Sequence, residues 1–148
     1  METTLKQFTV AEPTIGKDLA VDGQAWRADC VRAQAFRLFD FPVSGIDDCN
    51  VVYRAQLKTE GLSGRAYLEM WCHFPGRGEF FSRDLAHALG GSNDWSTYET
   101  PFILQPGETP NLLRLNLVVA ADSRLFWRKA VGGRVWIKDV TLTKVTSP

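Results

Sequence analysis

The sequence predicts an all-β protein folded as a β-sandwich. Its 148 residues show little helical periodicity, and runs of alternating apolar and polar residues recur at short intervals between Gly, Pro, Asn and Asp. Aromatic residues make up 11% of the chain and include five Trp, a surplus that fits a β core or an exposed binding surface. No repeat or linker divides the chain, so we expect a single domain over residues 1–148.

The clearest predicted strand runs from Arg65 to Phe74, where apolar and polar side chains alternate. Its predicted core face carries Ala66, Leu68, Met70, Cys72 and Phe74. The opposite face carries Tyr67, Glu69, Trp71 and His73. A second alternating run covers residues 51–58, and the intervening Glu60–Gly64 is typical of a hairpin turn. We therefore expect the two strands to be antiparallel neighbours.

The same pattern predicts the remaining elements. A third strand has the wholly aliphatic face Leu113, Leu115, Leu117 and Val119. Further strands are expected over residues 35–41, 96–104 and 134–144, with a weaker one over 8–15. Residues 84–89 are expected to form a short helical turn and 122–130 an extended hairpin tip. About eight strands fit a jelly roll.

The charge balance argues against nucleic-acid and membrane partners. Lys plus Arg and Asp plus Glu number 17 each, so no net field attracts polyanions or anionic lipid. No apolar run approaches the roughly 20 residues that span a bilayer. Residues 1–9 lack the apolar segment of a signal peptide, so we expect a soluble chain whose compartment stays undefined.

No sequence motif indicates catalysis. His73 and His87 lie outside the hydrolase and metalloprotease motifs, and Cys72 points away from His73 in a regular strand. Three cysteines without a Cys-x-x-Cys pair also argue against a disulfide framework or a zinc knuckle, although one bridge between Cys30 and Cys49 stays open. We therefore expect a protein that is not an enzyme.

Three features follow one another in the second half of the chain. A strand led by Trp95 comes first, Leu113-x-Leu115-x-Leu117 follows, and the closing run is Val135–Leu142. In this order they resemble the galactose-binding-like jelly rolls, a superfamily that includes many carbohydrate-binding modules of bacterial glycoside hydrolases. Such modules often close with apolar-x-apolar-Asp-Asp-Val-x-Leu, and Lys138 stands here where the first Asp is usual. The resemblance implies a noncatalytic module that binds carbohydrate.

The resemblance also implies a metal site. In members with a structural calcium, a carboxylate of the closing strand works with an N-terminal acidic residue, which here implies Asp139 and Glu12. Calcium takes six to eight oxygen ligands, and strand ends can supply them. The alternative interpretation is a bulge at Asp139 that changes which side chains of the strand face the core. No other cofactor is expected.

The outward face of the paired strands is the predicted ligand-binding surface. Aromatic rings stack on the C–H patches of a pyranose, and polar side chains pair with its hydroxyls. The predicted ligand-binding residues are Arg54, Gln56, Tyr67, Glu69, Trp71, His73, Arg114 and Asn116. Alternatively, residues 16–34 cover this face and Trp71 packs under Ala25 and Trp26.

Two functions stay open. The first is a noncatalytic module that docks on carbohydrate or glycan through this aromatic and polar sheet face. The second is a protein-interaction or structural accessory domain attached to a regulator or an enzyme, which the unpaired cysteines and the absent export signal favour. Neither the ligand nor the oligomeric state follows from the residues.

Overall fold

The computed structural model describes residues 1–121 and 131–147, so the expected hairpin tip at 122–130 lies outside the described residues. These ranges contain nine strands and one 3-10 turn, Leu85–His87. The strands are β1 Glu2–Phe8, β2 Leu19–Asp22, β3 Ala25–Asp29, β4 Gln34–Pro42, β5 Cys49–Phe74, β6 Gly78–Arg83, β7 Leu89–Leu104, β8 Leu112–Ala120 and β9 Gly132–Val145. The predicted all-β class is confirmed.

The long strand β5 belongs to both layers of a jelly-roll sandwich. Its first half pairs with β7 and β9, and its second half pairs with β8 and β6, always antiparallel. The first sheet has the order β2–β3–β9–β5–β7, with β1 also pairing with β9. The second sheet has the order β4–β8–β5–β6. The two layers are thus connected by continuous hydrogen bonding, because β5 runs from one layer into the other.

The predicted hairpin at Glu60–Gly64 is wrong. The two runs that it was expected to join pair with different strands, so they lie in opposite layers. Gly61 (φ 56°) and Gly64 (φ 146°) take backbone conformations that other residues rarely adopt, and the pairing registers shift here. Leu62 is buried between them. The segment is therefore a bulged passage that carries the chain from one sheet to the other.

The core lies between the layers. Phe8 of β1 stacks on Phe39 of β4 with 4.3 Å between ring centroids, and Trp26 of β3 meets Phe39 edge-on at 5.5 Å. The predicted core faces are buried as expected, namely Ala66, Leu68, Met70, Cys72, Phe74, Leu113, Leu115, Leu117 and Val119. Successive side chains of a strand point to opposite faces, so the residues between these buried ones point to the outside of the sandwich.

Asp139 lies at a bulge in β9. Its φ is 53°, and the register between β5 and β9 shifts at this point. The side chains buried on either side of the bulge are Val135, Ile137, Val140 and Leu142. The alternation therefore moves by one residue at Asp139, which confirms the bulge interpretation.

Most of the other predicted elements are confirmed. Strands cover residues 35–41, 96–104 and 134–144, and the short turn lies within 84–89. The strand expected over 8–15 is wrong, because β1 ends at Phe8 and a turn follows it. Strands β2, β3 and β6 were not predicted. None of the helical segments in the described part of the chain has the length and apolarity needed to cross a membrane.

Candidate functional site

The outer face of the second sheet gathers aromatic and charged side chains from three strands, and we call it the β6–β5–β8 face. Strand β5 contributes Tyr67, Glu69, Trp71 and His73; β8 contributes Arg114 and Asn116; β6 contributes Glu79, Phe81 and Arg83. The register places Asn116 and Arg83 on either side of Glu69. Six of the eight predicted ligand-binding residues are thus brought together on one surface.

The carboxylate of Glu69 organises this face. It is 5% exposed and accepts hydrogen bonds from Trp71 Nε1 at 2.9 Å, Asn116 Nδ2 at 2.9 Å and Arg83 Nε at 2.6 Å. Burial by itself raises the pKa of this carboxyl, but the three hydrogen bonds and the positive charge of Arg83 outweigh burial and lower the pKa below its ordinary value. Glu69 is therefore held as an anion that fixes the orientation of the Trp71 ring and of Arg83.

Two neighbouring rings form a partly exposed aromatic surface beside Glu69. The Trp71 and Phe81 centroids are 5.2 Å apart, and Phe81 is 49% exposed while Trp71 is half-buried. The guanidinium carbon of Arg83 lies 3.9 Å from the Phe81 centroid and 5.9 Å from that of Trp71. Cations at such distances are attracted to the ring faces, which holds the three side chains as one unit.

Charged side chains border the aromatic surface. Arg114 reaches Glu79 Oε1 at 2.8 Å and Asp40 Oδ1 at 3.8 Å, and His73 Nδ1 lies 3.7 Å from Glu79. About a third of each of these side chains is exposed. Partly exposed ion pairs of this kind contribute little to stability, but they present fixed donors and acceptors to a polar ligand.

Two predicted ligand-binding residues, Arg54 and Gln56, do not belong to this face. Because β5 changes layers at residues 60–64, both lie on the first sheet. Arg54 Nε bonds Glu99 at 2.9 Å, and Gln56 Nε2 bonds an Asp139 carboxylate oxygen at 2.9 Å. They were expected beside Tyr67 and Trp71 because residues 60–64 were predicted to form a hairpin. That position is wrong, since these residues carry the chain to the other sheet.

The expected cover over Trp71 is also wrong. Trp26 is 2% exposed in the core, on a strand of the opposite sheet, and it contacts Phe39 instead of Trp71. Ala25 and Trp26 belong to β3, which pairs with β2 and β9. The described contacts of Trp71 are those with Glu69, Phe81 and Arg83.

Sequence reasoning missed the contribution of β6. Glu79, Phe81 and Arg83 lie opposite His73, Trp71 and Glu69, because residues 75–77 form the tight turn of a real hairpin. The signal was present in Pro75 and the two glycines that follow it, Gly76 and Gly78, and then in the alternation of Glu79, Phe81 and Arg83. The adjacent pair Phe80-Phe81 obscured that alternation.

The two carboxylates implied as calcium ligands each have another partner. Glu12 pairs with Lys6 at 3.1 Å, and Asp139 accepts the hydrogen bond from Gln56. Within residues 1–121 and 131–147, no group of three or more His, Cys, Asp or Glu is placed to hold a metal ion. Bound cations would need several oxygen ligands close together.

We expect millimolar calcium and EDTA to give melting temperatures that agree within about a degree, because a cation that binds only the folded state would raise the melting temperature. Thermal unfolding followed by circular dichroism in the two buffers checks this. A clear rise in calcium that Asp139→Asn abolishes would contradict it and restore Asp139 as a ligand.

The three cysteines are buried free thiols, so the bridge between Cys30 and Cys49 does not form. Burial raises the pKa of Cys72 to about 12, and burial with the nearby Asp29 charge raises that of Cys30 to about 11. The thiolate is the nucleophilic form, and at neutral pH these two side chains are overwhelmingly thiols. They pack as small apolar residues.

No family model and no curated protein matches the sequence. Among solved structures, a family 4 carbohydrate-binding module aligns over 93% of this chain and 77% of its own with a TM-score of 0.57 and 8% identity. A family 29 module variant aligns over 99% and 93% with a TM-score of 0.52 and 15% identity. A Stig cyclase from Fischerella sp. TAU aligns over 95% and 74% with a TM-score of 0.54 and 12% identity.

The structures similar to this chain are mostly carbohydrate-binding modules of families 4, 16 and 29. The chain has their jelly-roll β-sandwich fold, as the galactose-binding-like resemblance predicted. At these identities the likeness concerns the fold alone. The cyclase shows that a related fold also serves an enzyme, so the fold by itself does not decide between binding and catalysis.

Proposed function

We propose that the chain is a noncatalytic module that docks on carbohydrate through the β6–β5–β8 face. The observation that carries the proposal is the pair of neighbouring rings, half-buried Trp71 and exposed Phe81, held in place by Arg83 and Glu69. A pyranose ring can stack its C–H patch on such a surface, as apolar ligand surface does on aromatic faces. The fold shared with carbohydrate-binding modules supports the same function.

The polar border of the face suits the hydroxyl groups of a sugar. Arg114 and Glu79 form an ion pair whose side chains are both about one-third exposed, so donors and acceptors lie next to the aromatic surface. Three strands spaced by about 4.8 Å give this face a width of about 10 Å, room for a chain of several sugar units along the strands. A related family 29 module variant has been seen complexed with cellulohexaose, which makes that oligosaccharide a reasonable first ligand.

Phe81→Ala is expected to weaken saccharide binding about tenfold, because one stacked ring contributes about 1–1.5 kcal/mol. The melting temperature should hardly change, since the ring is half exposed. A glycan array and affinity gels would find a retained saccharide, and isothermal titration calorimetry would compare the variants on it.

The matched control is Phe80→Ala. Phe80 is 47% exposed on the same strand but points the other way, towards Phe74. Binding should survive this change. Equal binding by wild type, Phe81→Ala and Trp71→Ala would refute the proposed face, as would the retention of no saccharide at all. If Trp71→Ala lowers the melting temperature by many degrees, Trp71 acts as a core residue.

A specific observation also favours the second candidate, a protein-interaction or accessory domain. Leu85, two residues after the end of β6, is 60% exposed, and Phe80 and Phe81 on that strand are 47% and 49% exposed. Clustered exposed apolar side chains often mark protein contacts. Crosslinking that captures one defined partner, lost in Leu85→Ser, together with no saccharide binding would favour this function over the first.

A further inference from the structure

The outer face of the first sheet carries a second aromatic cluster that the proposed function does not use. Trp136 lies on β9 and Trp95 on β7, with β5 between them. Both indoles are half-buried. Because neighbouring strands are about 4.8 Å apart, the backbones that carry the two rings are about 10 Å apart. Two separate flat surfaces are therefore available on one face.

Each indole has a lysine ammonium near its face. Lys138 Nζ lies 4.2 Å from the Trp95 centroid, and Lys58 Nζ lies 5.1 Å from that of Trp136. In the part of the chain that the structure describes, no carboxylate lies within ion-pair distance of either ammonium. The arginines of the same sheet do have carboxylate partners, namely Arg27, Arg54 and Arg134.

The cluster has fixed geometry. Trp136 Nε1 donates a hydrogen bond to Asp22 Oδ2 at 2.9 Å, which sets the plane of its ring. The bulge at Asp139 lies next to Lys138, and Gln56 holds the Asp139 carboxylate at 2.9 Å. That carboxylate is thus engaged by an amide donor instead of by the neighbouring ammonium.

We infer that this surface, the Trp95/Trp136 face, is a second binding site for a saccharide that bears carboxylate or sulfate groups. The inference rests on the proposed function only in taking the ligand to be a saccharide. A sugar ring would stack on an indole while its anionic group pairs with Lys58 or Lys138. The ammonium would then exchange a partly exposed cation–π contact for stronger charge-assisted hydrogen bonds. A neutral sugar gains only the stacking.

The test measures binding of the full chain to a hexamer of galacturonic acid and to a heparin hexasaccharide by calorimetry at low salt. Lys58→Gln with Lys138→Gln is expected to weaken the bound anionic saccharide about tenfold or more. Trp95→Ala should weaken it as well. Lys17→Gln removes an exposed lysine elsewhere and should change binding little. Binding of the galacturonic acid hexamer would show that carboxylate suffices, whereas binding of the heparin hexasaccharide alone would identify sulfate as the required group, because heparin carries both groups.

The outcomes separate this inference from the proposed function. Phe81→Ala should leave binding of the anionic hexamer unchanged, and the double lysine variant should leave binding of the neutral cellulohexaose unchanged. Equal losses in Lys17→Gln and the double variant, or no binding of either anionic hexamer, would overturn the second site. The lysines lie at the surface, so their variants give an answer even if Trp95→Ala fails to fold.

Discussion

Gly133→Ala is expected to lower the free energy of unfolding by about 3 kcal/mol or more. Gly133 has a φ of 101°, which an alanine adopts only with strain. A Cβ at this position would also meet the carbonyl of Gly61, with Leu62 Cα at 2.7 Å. These are backbone atoms of the passage between the sheets, so they cannot move aside without disturbing the β5–β9 pairing. Urea unfolding measures the loss.

Two neighbouring glycines provide matched controls. Gly91→Ala adds the same kind of backbone strain, with a φ of 73°, but its Cβ would meet nothing within 4 Å. We expect a loss of about 1–2 kcal/mol there. Gly132→Ala would place its Cβ 3.5 Å from Ser63 Oγ and add no strain, so its effect should be small. Equal losses at Gly133 and Gly91 would show that the close approach to Gly61 is not what makes Gly133 necessary.

The alternation of residues 65–74 and 112–119 predicted correctly which side chains of these two strands face the core, because each strand buries one complete face. Every second residue from Ala66 to Phe74 is 4% exposed or less. Period-two patterns are reliable under these conditions, since a shift by one residue would expose the whole apolar set. The outward residues that β5 and β8 contribute to the β6–β5–β8 face follow from the same alternation, whereas those of β6 were missed.

The passage at Glu60–Gly64 could not be told from a hairpin by its glycines. Both structures use glycine at positive φ, and only the partner strands distinguish them. One local signal pointed the right way: Leu62, an apolar residue in the middle of the supposed turn, is 4% exposed. A hairpin tip would have left it in water.

That single error separated the candidate site into two halves. Arg54 and Gln56 lie on the opposite sheet, near the Trp95/Trp136 face. The residues that lie beside Glu69 and Trp71 are Arg83 and Phe81 of β6. Long-range pairing decides which strands are neighbours, and a single sequence carries little information about it. The faces of individual strands were predictable, whereas the composition of each surface was not.

Arg83→Met is expected to lower the free energy of unfolding by about 2 kcal/mol at neutral pH, the second large effect on this fold. Arg83 Nε makes the shortest hydrogen bond to Glu69, at 2.6 Å, and is the one cation that pairs with it among the described residues. Methionine retains apolar contact with Phe81 but leaves a nearly buried carboxylate with only Trp71 and Asn116 as donors. Urea unfolding of wild type and variant measures the difference.

The size of this loss should depend on pH, because the pKa of Glu69 is lowered in the folded chain. A carboxyl whose folded pKa lies below its unfolded value stabilises the fold above the unfolded pKa, and the stabilisation disappears as the pH falls through the folded pKa. The gap between wild type and Arg83→Met should therefore be constant well above the ordinary pKa of a glutamate side chain and shrink as the pH falls below it. Glu69→Gln has no carboxyl group to titrate, so its stability should lack the part of the pH dependence that comes from Glu69. If the difference in free energy of unfolding between wild type and Arg83→Met stays the same at low pH, Arg83 stabilises the sheet by packing on Phe81 and Trp71. Its ion pair with Glu69 would then contribute nothing.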